Sequence, residues 1–270
     1  PAILPQRYPP YMAPLTPPGA RPQRSLRMLA GDSALTFERV VQLKHSTRME
    51  LADHVLDALL ALAVGDAATP RAREAAAVLR AWDRTADAAS RGGVLFEATW
   101  LEYARRVPPA RRYAKGWSAA DPIATPDGIG DPAAALAALD SAAGLVRARH
   151  GRLDVAWGEV YRLRRDALDL PGNGGPGAPH GIFRVVGYVD STLAGARRPT
   201  AVGGDSYVAV VEFGPAGPRA MSLIGYGNAS QPGSPHRTDQ LALMSAKALK
   251  PVWRTRREIE ANLARREVVR

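Results

Sequence analysis

The hydrophobic pattern of the chain changes its period close to Gly151, and this change indicates the fold class. Between residues 33 and 150 the apolar residues recur at helical spacing, whereas residues 151–270 contain short runs rich in branched and aromatic residues. Helices are therefore predicted for the first region, and strands followed by returning helices for the second. A helical lobe followed by a sheet-rich region is an α+β arrangement.

Five helices are predicted in the lobe of residues 33–150. Asp32 or Ser33 can cap the first one, whose apolar face includes Phe37 and Val41. Thr69 before Pro70 has the form of a cap followed by a proline at the first helical position, a typical helix start. The four helices after the first are expected at 48–64, 70–84, 94–106 and 132–150.

Four strands are predicted in residues 151–270, at 155–163, 182–188, 207–213 and 220–224. The last two flank the glycine- and proline-rich run 214–218, which predicts an antiparallel hairpin. The similar run 171–177 predicts a loop on the surface or lining a site. Helices return at 238–248 and 255–266.

Residues 1–32 are rich in proline and have almost no periodicity, so they are predicted to be an extended segment packed on the core. The predicted organisation is this segment, then a helical lobe over 33–150, then a β-rich part with C-terminal helices over 151–270.

Composition excludes several classes of protein and site. The chain has no cysteine, which excludes disulfides, thiolate zinc sites and cysteine nucleophiles. No apolar run approaches the roughly 20 residues that a membrane-spanning helix needs. The formal charge of +10 is compatible with nucleic-acid binding. Because the arginines are scattered and accompany no recognition motif or stacking platform, no nucleic-acid partner is expected.

Few residues have the spacing of a known catalytic or metal site. The five histidines lie at no metal-ligand spacing and are interpreted as structural or solvated, and nothing indicates a metal or cofactor. The loop 171–177 lacks the Lys-Ser/Thr pair of a phosphate-binding loop. Ser206 lacks the second glycine of a nucleophile elbow.

Ser234, His236 and Asp239 are the three residue types of a catalytic triad. Their closeness in sequence argues against that role, because triads are assembled from separate elements and need an oxyanion hole. We therefore predict a tight turn with local hydrogen bonds that caps a helix near Thr238.

Three stretches of the chain resemble known motifs in the same order. They are Leu79-Arg80-Ala81-Trp82-Asp83 with the following Gly92, Gly93, Leu95 and Phe96; Ala156-Trp157-Gly158-Glu159-Val160; and Gly203-Gly204-Asp205-Ser206-Tyr207 with Ser234-Pro235-His236-Arg237-Thr238-Asp239-Gln240. Together they resemble the penicillin acylase family, in its aculeacin and acyl-homoserine-lactone acylase branch. Arg237 departs from the tyrosine usual in the last motif.

The resemblance implies an N-terminal-nucleophile hydrolase with an αββα core that is matured by self-cleavage into α and β chains. In that family the first serine of the β chain attacks the amide carbonyl, its α-amino group is the base, and an asparagine stabilises the oxyanion. This chain begins Pro1-Ala2-Ile3 and has no serine before Ser25. It is therefore expected to be the C-terminal half of a β subunit.

The implied partners are the α subunit and the N-terminal part of the β subunit of the same precursor. The implied substrate is an acyl amide, such as an acyl-homoserine lactone, a lipopeptide or a β-lactam side chain, and the implied location is periplasmic or secreted.

Arg21 is the family position that this chain retains. In the acyl-homoserine-lactone branch an arginine in a G-x-R-x-x-x-x-L pattern orients the oxyanion asparagine, and Gly19, Arg21 and Leu26 match that spacing. A planar guanidinium is suited to hold an amide in a fixed orientation. Arg24 is the alternate, and a solvated arginine is the alternative to both.

Two other functions remain open from the sequence. One is a catalytically inactive, freestanding interaction protein of the same fold. The other is a self-contained hydrolase that uses His236 and Asp239.

Overall fold

A computed structural model describes residues 17–31, 34–191 and 198–267 of the chain. It divides into two compact units, residues 1–205 and 206–270. The helices of the first unit are α1 (Ala20–Ala30), α2 (Phe37–Lys44), α3 (Glu50–Leu62), α4 (Pro70–Ala81), α5 (Gly93–Arg106), α6 (Pro132–His150), α7 (Trp157–Val160) and α8 (Gly177–His180). Its strands are β1 (Arg162–Arg165), β2 (Leu168–Pro171), β3 (Val186–Ser191) and β4 (Arg198–Gly204).

The second unit contains three strands and two helices among its described residues. They are β5 (Tyr207–Gly214), β6 (Gly217–Ile224), α9 (Leu241–Ser245), β7 (Lys250–Pro251) and α10 (Arg256–Ala261). The mixture of helices and sheets confirms the predicted α+β class. The predicted boundary after residue 150 coincides with a change of secondary structure, because among the elements described only helices precede it and the first strand, β1, follows it. The residues on both sides of it belong to the first unit.

The core of the first unit lies where α5 and α6 pack on each other and on α3 and α4. Leu79, Leu95 and Leu139 are fully buried there. The alanines of α6 that face the core, such as Ala138 and Ala142, are also fully buried, and their small side chains let the neighbouring helices approach closely. The five predicted helices of the lobe are all present as α2 to α6.

The predicted helix starts at Pro70 and Pro132 are confirmed. The Thr69 side chain accepts a hydrogen bond from the backbone N–H of Ala72, and the Asp131 side chain accepts one from Ala134. Each cap satisfies a backbone donor that has no partner inside the helix. Asp32 and Ser33, the predicted caps of the first lobe helix, lie outside the described residues, and Thr36 caps α2 by accepting from Arg39.

The prediction that residues 1–32 are extended is wrong for residues 20–30, which form α1. Pro22 lies in the first turn of this helix, where a missing N–H costs no hydrogen bond. The following residues are good helix formers, and Met28 buries its side chain against the first unit. Proline content alone therefore misled the prediction.

The first unit carries a four-stranded sheet in the order β2-β1-β4-β3. The strand predicted at 155–163 is wrong over most of its length, because α7 occupies residues 157–160 and only the end of the run joins β1. Trp157 and Val160 are both buried on one helical turn. The strand predicted at 182–188 begins later, at Val186, while β2 and β4 were not predicted because proline, glycine and charged residues interrupt them.

The second unit carries a sheet in the order β5-β6-β7. The predicted hairpin is confirmed, with Gly214 paired to Gly217 and a turn of two residues between them. Gly217 has φ +95°, a conformation that favours glycine. The C-terminal helices are shorter than predicted, and α10 has a capping box between Thr255 and Glu258. Of the helices described, none is long and apolar enough to cross a membrane.

Candidate functional site

Arg21 lies in the first turn of α1 and is held by the segment that precedes β3. Its Nε and Nη2 donate hydrogen bonds to the carbonyl oxygen of Phe183, at 3.3 and 3.2 Å. The guanidinium carbon also lies 4.8 Å from the centre of the Phe183 ring. A cation over an aromatic face is attracted by the ring quadrupole. One residue 162 positions away in sequence thus fixes both the edge and the face of the guanidinium.

The backbone around α8 provides the space for Arg21. A Cβ atom at Gly177 would lie 2.9 Å from the Cδ of Arg21, so any larger residue would displace the arginine. Gly181 ends α8 with φ +73°, and a Cβ there would lie 2.5 Å from the Cβ of Glu50 and 2.8 Å from that of Ala20. Two glycines therefore allow α1 to approach α8 and α3.

Phe183 has a second cation beside it. The Nζ of Lys44 lies 5.2 Å from the ring centre and pairs with Asp205 at 2.5 Å. Asp205 also accepts a hydrogen bond from the backbone N–H of Val185. The Gly-Gly-Asp-Ser-Tyr motif thus holds the same segment that positions Arg21.

Arg24, the alternate candidate, has acidic partners within the first unit. Its Nη1 lies 3.5 Å from Glu50 and 3.8 Å from Asp53. Burial lowers the pKa of Arg24, and the two carboxylates oppose that effect. Asp53 in turn accepts two hydrogen bonds from Arg48, at 2.8 and 2.6 Å. The charge of Arg24 is therefore balanced by the fold itself.

Arg21 differs from Arg24 in this respect. Across residues 17–31, 34–191 and 198–267, no carboxylate forms an ion pair with Arg21, and its Nη1 group makes no hydrogen bond. The guanidinium is oriented by Phe183 while one of its two terminal nitrogens stays available. Such a group can donate to a carbonyl or carboxylate oxygen supplied from elsewhere.

The histidines do not form a metal site in the described part of the chain, where no cluster of three possible ligands occurs. Buried His45 bonds to the Nη1 of Arg184 through Nδ1 at 2.6 Å. His54 lies 3.6 Å from Glu50, and burial lowers its pKa. These two histidines are buried structural groups.

The glycine-rich loop is buried from 172 to 175, so the first of its two predicted placements, on the surface, is wrong. The N–H of Gly172 donates to Tyr161 and that of Gly174 to Ala86, at 2.8 and 2.9 Å. Its backbone donors are therefore used to hold the loop and cannot form a phosphate cradle.

The predicted turn at Ser234 is confirmed. Ser234 Oγ accepts a hydrogen bond from the backbone N–H of His236, and the imidazole bonds to Asp239 at 2.9 Å. The His236 side chain is 69% exposed. The serine hydroxyl thus bonds to the backbone of His236, not to its ring, and the arrangement is a solvated turn without the geometry of a triad.

Glu97 on α5 belongs to a buried polar group that sequence reasoning missed. Its Oε2 accepts a hydrogen bond from the hydroxyl of Tyr161, and burial raises the pKa of its carboxyl group to about 8. The Nδ1 of His180 lies 3.8 Å from Oε1, and burial lowers the pKa of His180 to about 4. Both groups are therefore uncharged at neutral pH. The run of apolar residues directly before Glu97 was the available indication that it is buried.

Comparison with known proteins finds one family and relatives that are named as acylases. The family whose description is penicillin amidase matches residues 2–261. An acyl-homoserine lactone acylase, PvdQ of Pseudomonas putida, is 30% identical over 94% of this chain and 32% of its own length. Aculeacin-A acylase of Actinoplanes utahensis is 30% identical over 87% of this chain and 30% of its own length.

Among solved structures, thermostable penicillin G acylase from Alcaligenes faecalis matches 92% of this chain and 52% of its own, at 16% identity and a TM-score of 0.48. The chain spans about a third of the length of the curated relatives it matches.

Proposed function

Because the chain belongs to the penicillin amidase family, we propose that it is the C-terminal portion of the β subunit of an N-terminal-nucleophile amidohydrolase. The observation that carries the proposal is the match of residues 2–261 to that family, together with relatives that are acylases about three times as long. The α subunit and the N-terminal part of the β subunit are its proposed partners. The location proposed for the assembled enzyme is periplasmic or secreted.

The proposed substrates are acyl amides, and the names of the relatives favour acyl-homoserine lactones and aculeacin A as models for them. A serine at the start of the β subunit attacks the amide carbonyl, and its own α-amino group takes the proton. An asparagine on the partner segment stabilises the oxyanion and lowers the activation free energy by about 3 kcal/mol. This chain supplies the helical lobe and the group that orients that asparagine.

Arg21 is the proposed orienting group, and the free Nη1 beside two occupied nitrogens supports this role. An oxyanion donor is effective when it is fixed before the reaction, because reorientation during the reaction costs part of the stabilisation. Arg21 acts through the asparagine and does not touch the reacting atoms, so it is a positioning residue.

The function is tested by expressing the full-length precursor and analysing the purified product by N-terminal sequencing and denaturing mass measurement. We expect this region to co-purify with a segment that begins with serine, and the preparation to hydrolyse N-octanoyl homoserine lactone. Recovery of a folded, freestanding chain without a serine-initiated partner and without amidase activity would instead favour the inactive interaction protein.

Replacing Arg21 with alanine in the assembled enzyme is expected to lower kcat by about 10- to 100-fold with little change in KM, because a misplaced donor affects the transition state more than substrate binding. Arg21→Lys is expected to recover little, since an ammonium lacks the planar geometry of the guanidinium. Steady-state kinetics of both variants is the measurement.

Arg24→Ala is the matched variant on the same helix. Loss of this buried cation is expected to reduce the yield of folded enzyme while leaving the kcat of the folded fraction close to normal. A lowered kcat in Arg24→Ala with normal kinetics in Arg21→Ala would transfer the positioning role to Arg24.

A further inference from the structure

A cavity of about 250 Å³ lies between α5 and α6, away from Arg21 and its partners. Most of its lining is aliphatic, with Val94, Ala98, Leu101, Leu145 and Val160 among the walls. Glu97 also lines it. A largely apolar pocket with few polar groups is the usual form of a small-molecule site.

Glu97 provides a hydrogen-bonding group inside this cavity that the fold leaves unused. The residue is only 8% exposed, and Tyr161 already donates to its Oε2. Oε1 makes no hydrogen bond with the described residues, and the Nδ1 of His180 lies 3.8 Å from it, which is beyond hydrogen-bond distance. Tyr161 occupies Oε2, so Oε1 is the carboxyl oxygen that can donate a proton to a ligand in the cavity. Oε1 has no hydrogen-bond partner among the described residues.

The charges around the cavity disfavour a cationic ligand. Arg149 and His150 lie on the α6 side of the opening, and the chain carries a formal charge of +10. Glu102, the second carboxylate of the lining, is paired with Arg105 and Arg106. An ammonium ligand would therefore meet a positive surface and would also have to ionise Glu97 in an apolar environment.

We propose that this cavity binds a small aliphatic molecule with a carbonyl oxygen, which accepts a hydrogen bond from the Glu97 carboxyl group while its alkyl part contacts the aliphatic walls. The interaction gives the carboxyl group of Glu97 a hydrogen-bond partner in the cavity and removes apolar ligand surface from water. It is independent of the proposed amidohydrolase function, since none of the Arg21 contacts contributes to the cavity.

Binding of such a molecule depends on pH because the donor can ionise. Above a pH of about 8 Glu97 loses its proton, and the carboxylate repels a carbonyl oxygen. Apparent affinity falls with the fraction of protein in the competent form, so it weakens about tenfold by pH 9. The groups that face Glu97 are Tyr161, His180 on α8, and Arg149 and His150 on α6. His180 is already neutral above pH 6 because burial lowers its pKa to about 4.

The experiment uses 2-heptanone as the probe and methyl NMR of this chain and of the full-length precursor as the readout. The ketone has one carbonyl acceptor, cannot titrate and is not an amide, so an active site that hydrolyses amides leaves it unchanged. Titrations at pH 6, 7.5 and 9 would follow the methyl groups of Val94, Val146 and Val160, and 1-aminoheptane is the cationic comparison.

Glu97→Gln keeps a donor at the same place but removes the titration, so we expect it to bind 2-heptanone equally at pH 6 and 9. Glu97→Leu removes the donor and is expected to weaken binding at pH 6. His150→Gln and Glu102→Gln are the controls, expected to keep the pH dependence of the unmodified chain.

Localised shifts with an affinity that falls about tenfold by pH 9, and that becomes constant in Glu97→Gln, are the expected result. The proposal is overturned by absence of binding at millimolar ketone, by equal affinity at all three pH values in the unmodified chain, or by tighter binding of 1-aminoheptane. Binding to this chain without binding to the full-length precursor would also overturn it, because another segment of the precursor would then occupy the cavity.

Discussion

Replacing Trp157 with alanine is expected to lower the free energy of unfolding of this chain by about 3–5 kcal/mol. The side chain is completely buried. Its ring stacks on Tyr161 with centroids 4.1 Å apart, and its Nε1 donates to the carbonyl oxygen of Gly174 at 3.1 Å. The substitution removes a large apolar surface and leaves a buried carbonyl without its donor.

The surroundings of Trp157 prevent the cavity from closing. A Cβ atom at Gly93 would lie 3.0 Å from the indole ring, and one at Gly175 would lie 3.3 Å from it. Both neighbours are glycines, so they have no side chains that can move into the vacated volume. The cost of a cavity depends on how far the site can collapse, which places this variant in the upper part of the range.

Chemical denaturation monitored by circular dichroism measures this effect. Val64→Ala is the control in the same unit, because Val64 is 71% exposed and its truncation is expected to change the unfolding free energy by less than about 0.5 kcal/mol. Trp157→Phe should fall between the two. A loss below about 1 kcal/mol in Trp157→Ala would contradict the assignment of this ring as a core residue.

The contrast between Trp157 and the helices of the lobe shows what the sequence could predict. The helix starts at Pro70 and Pro132 were predicted because a cap and a proline act through local backbone hydrogen bonds. Trp157 was identified within a family motif, yet its short helix was predicted as a strand. Four residues are too few to distinguish the two periods, and contacts with the glycine loop decide the conformation.

The candidate site depends still more on distant contacts. Arg21 and Arg24 are the same residue type, so the sequence cannot distinguish them. In the structure Arg21 bonds to Phe183 and keeps a free nitrogen, whereas Arg24 pairs with the buried carboxylate of Glu50. Burial of Glu97 has the same origin, since the group that covers it comes from α8. No local pattern encodes these pairings, which join residues separated by many elements.

Replacing Glu50 with alanine is expected to lower the free energy of unfolding by about 3–5 kcal/mol, because it leaves buried positive charge uncompensated. Glu50 is fully buried, accepts a hydrogen bond from Arg27 at 2.8 Å and lies 3.5 Å from Arg24. The pKa of Arg24 is already lowered by burial, so loss of this carboxylate removes an interaction that opposes desolvation. Asp57→Ala is the matched control, since Asp57 pairs with Arg84 at a side chain that is 72% exposed and its loss should cost less than about 1 kcal/mol.

A double-mutant cycle separates the charge effect from a simple loss of packing. If the cost of Glu50→Ala comes from the unpaired cation, then Glu50→Leu combined with Arg24→Leu should be more stable than Glu50→Leu alone, by about 1–3 kcal/mol. Arg27, the second arginine that pairs with Glu50, has a side chain that is 41% exposed, so water can solvate it after the carboxylate is removed. Additive losses in the two single variants would show instead that the residues act independently, and the ion pair would then not be the source of the effect. The comparison is made by unfolding the unmodified chain, the two single variants and the double variant at pH 7 and equal ionic strength. Arg24→Leu is expected to leave Arg21 in place, because Arg21 is held by Phe183 on a separate segment.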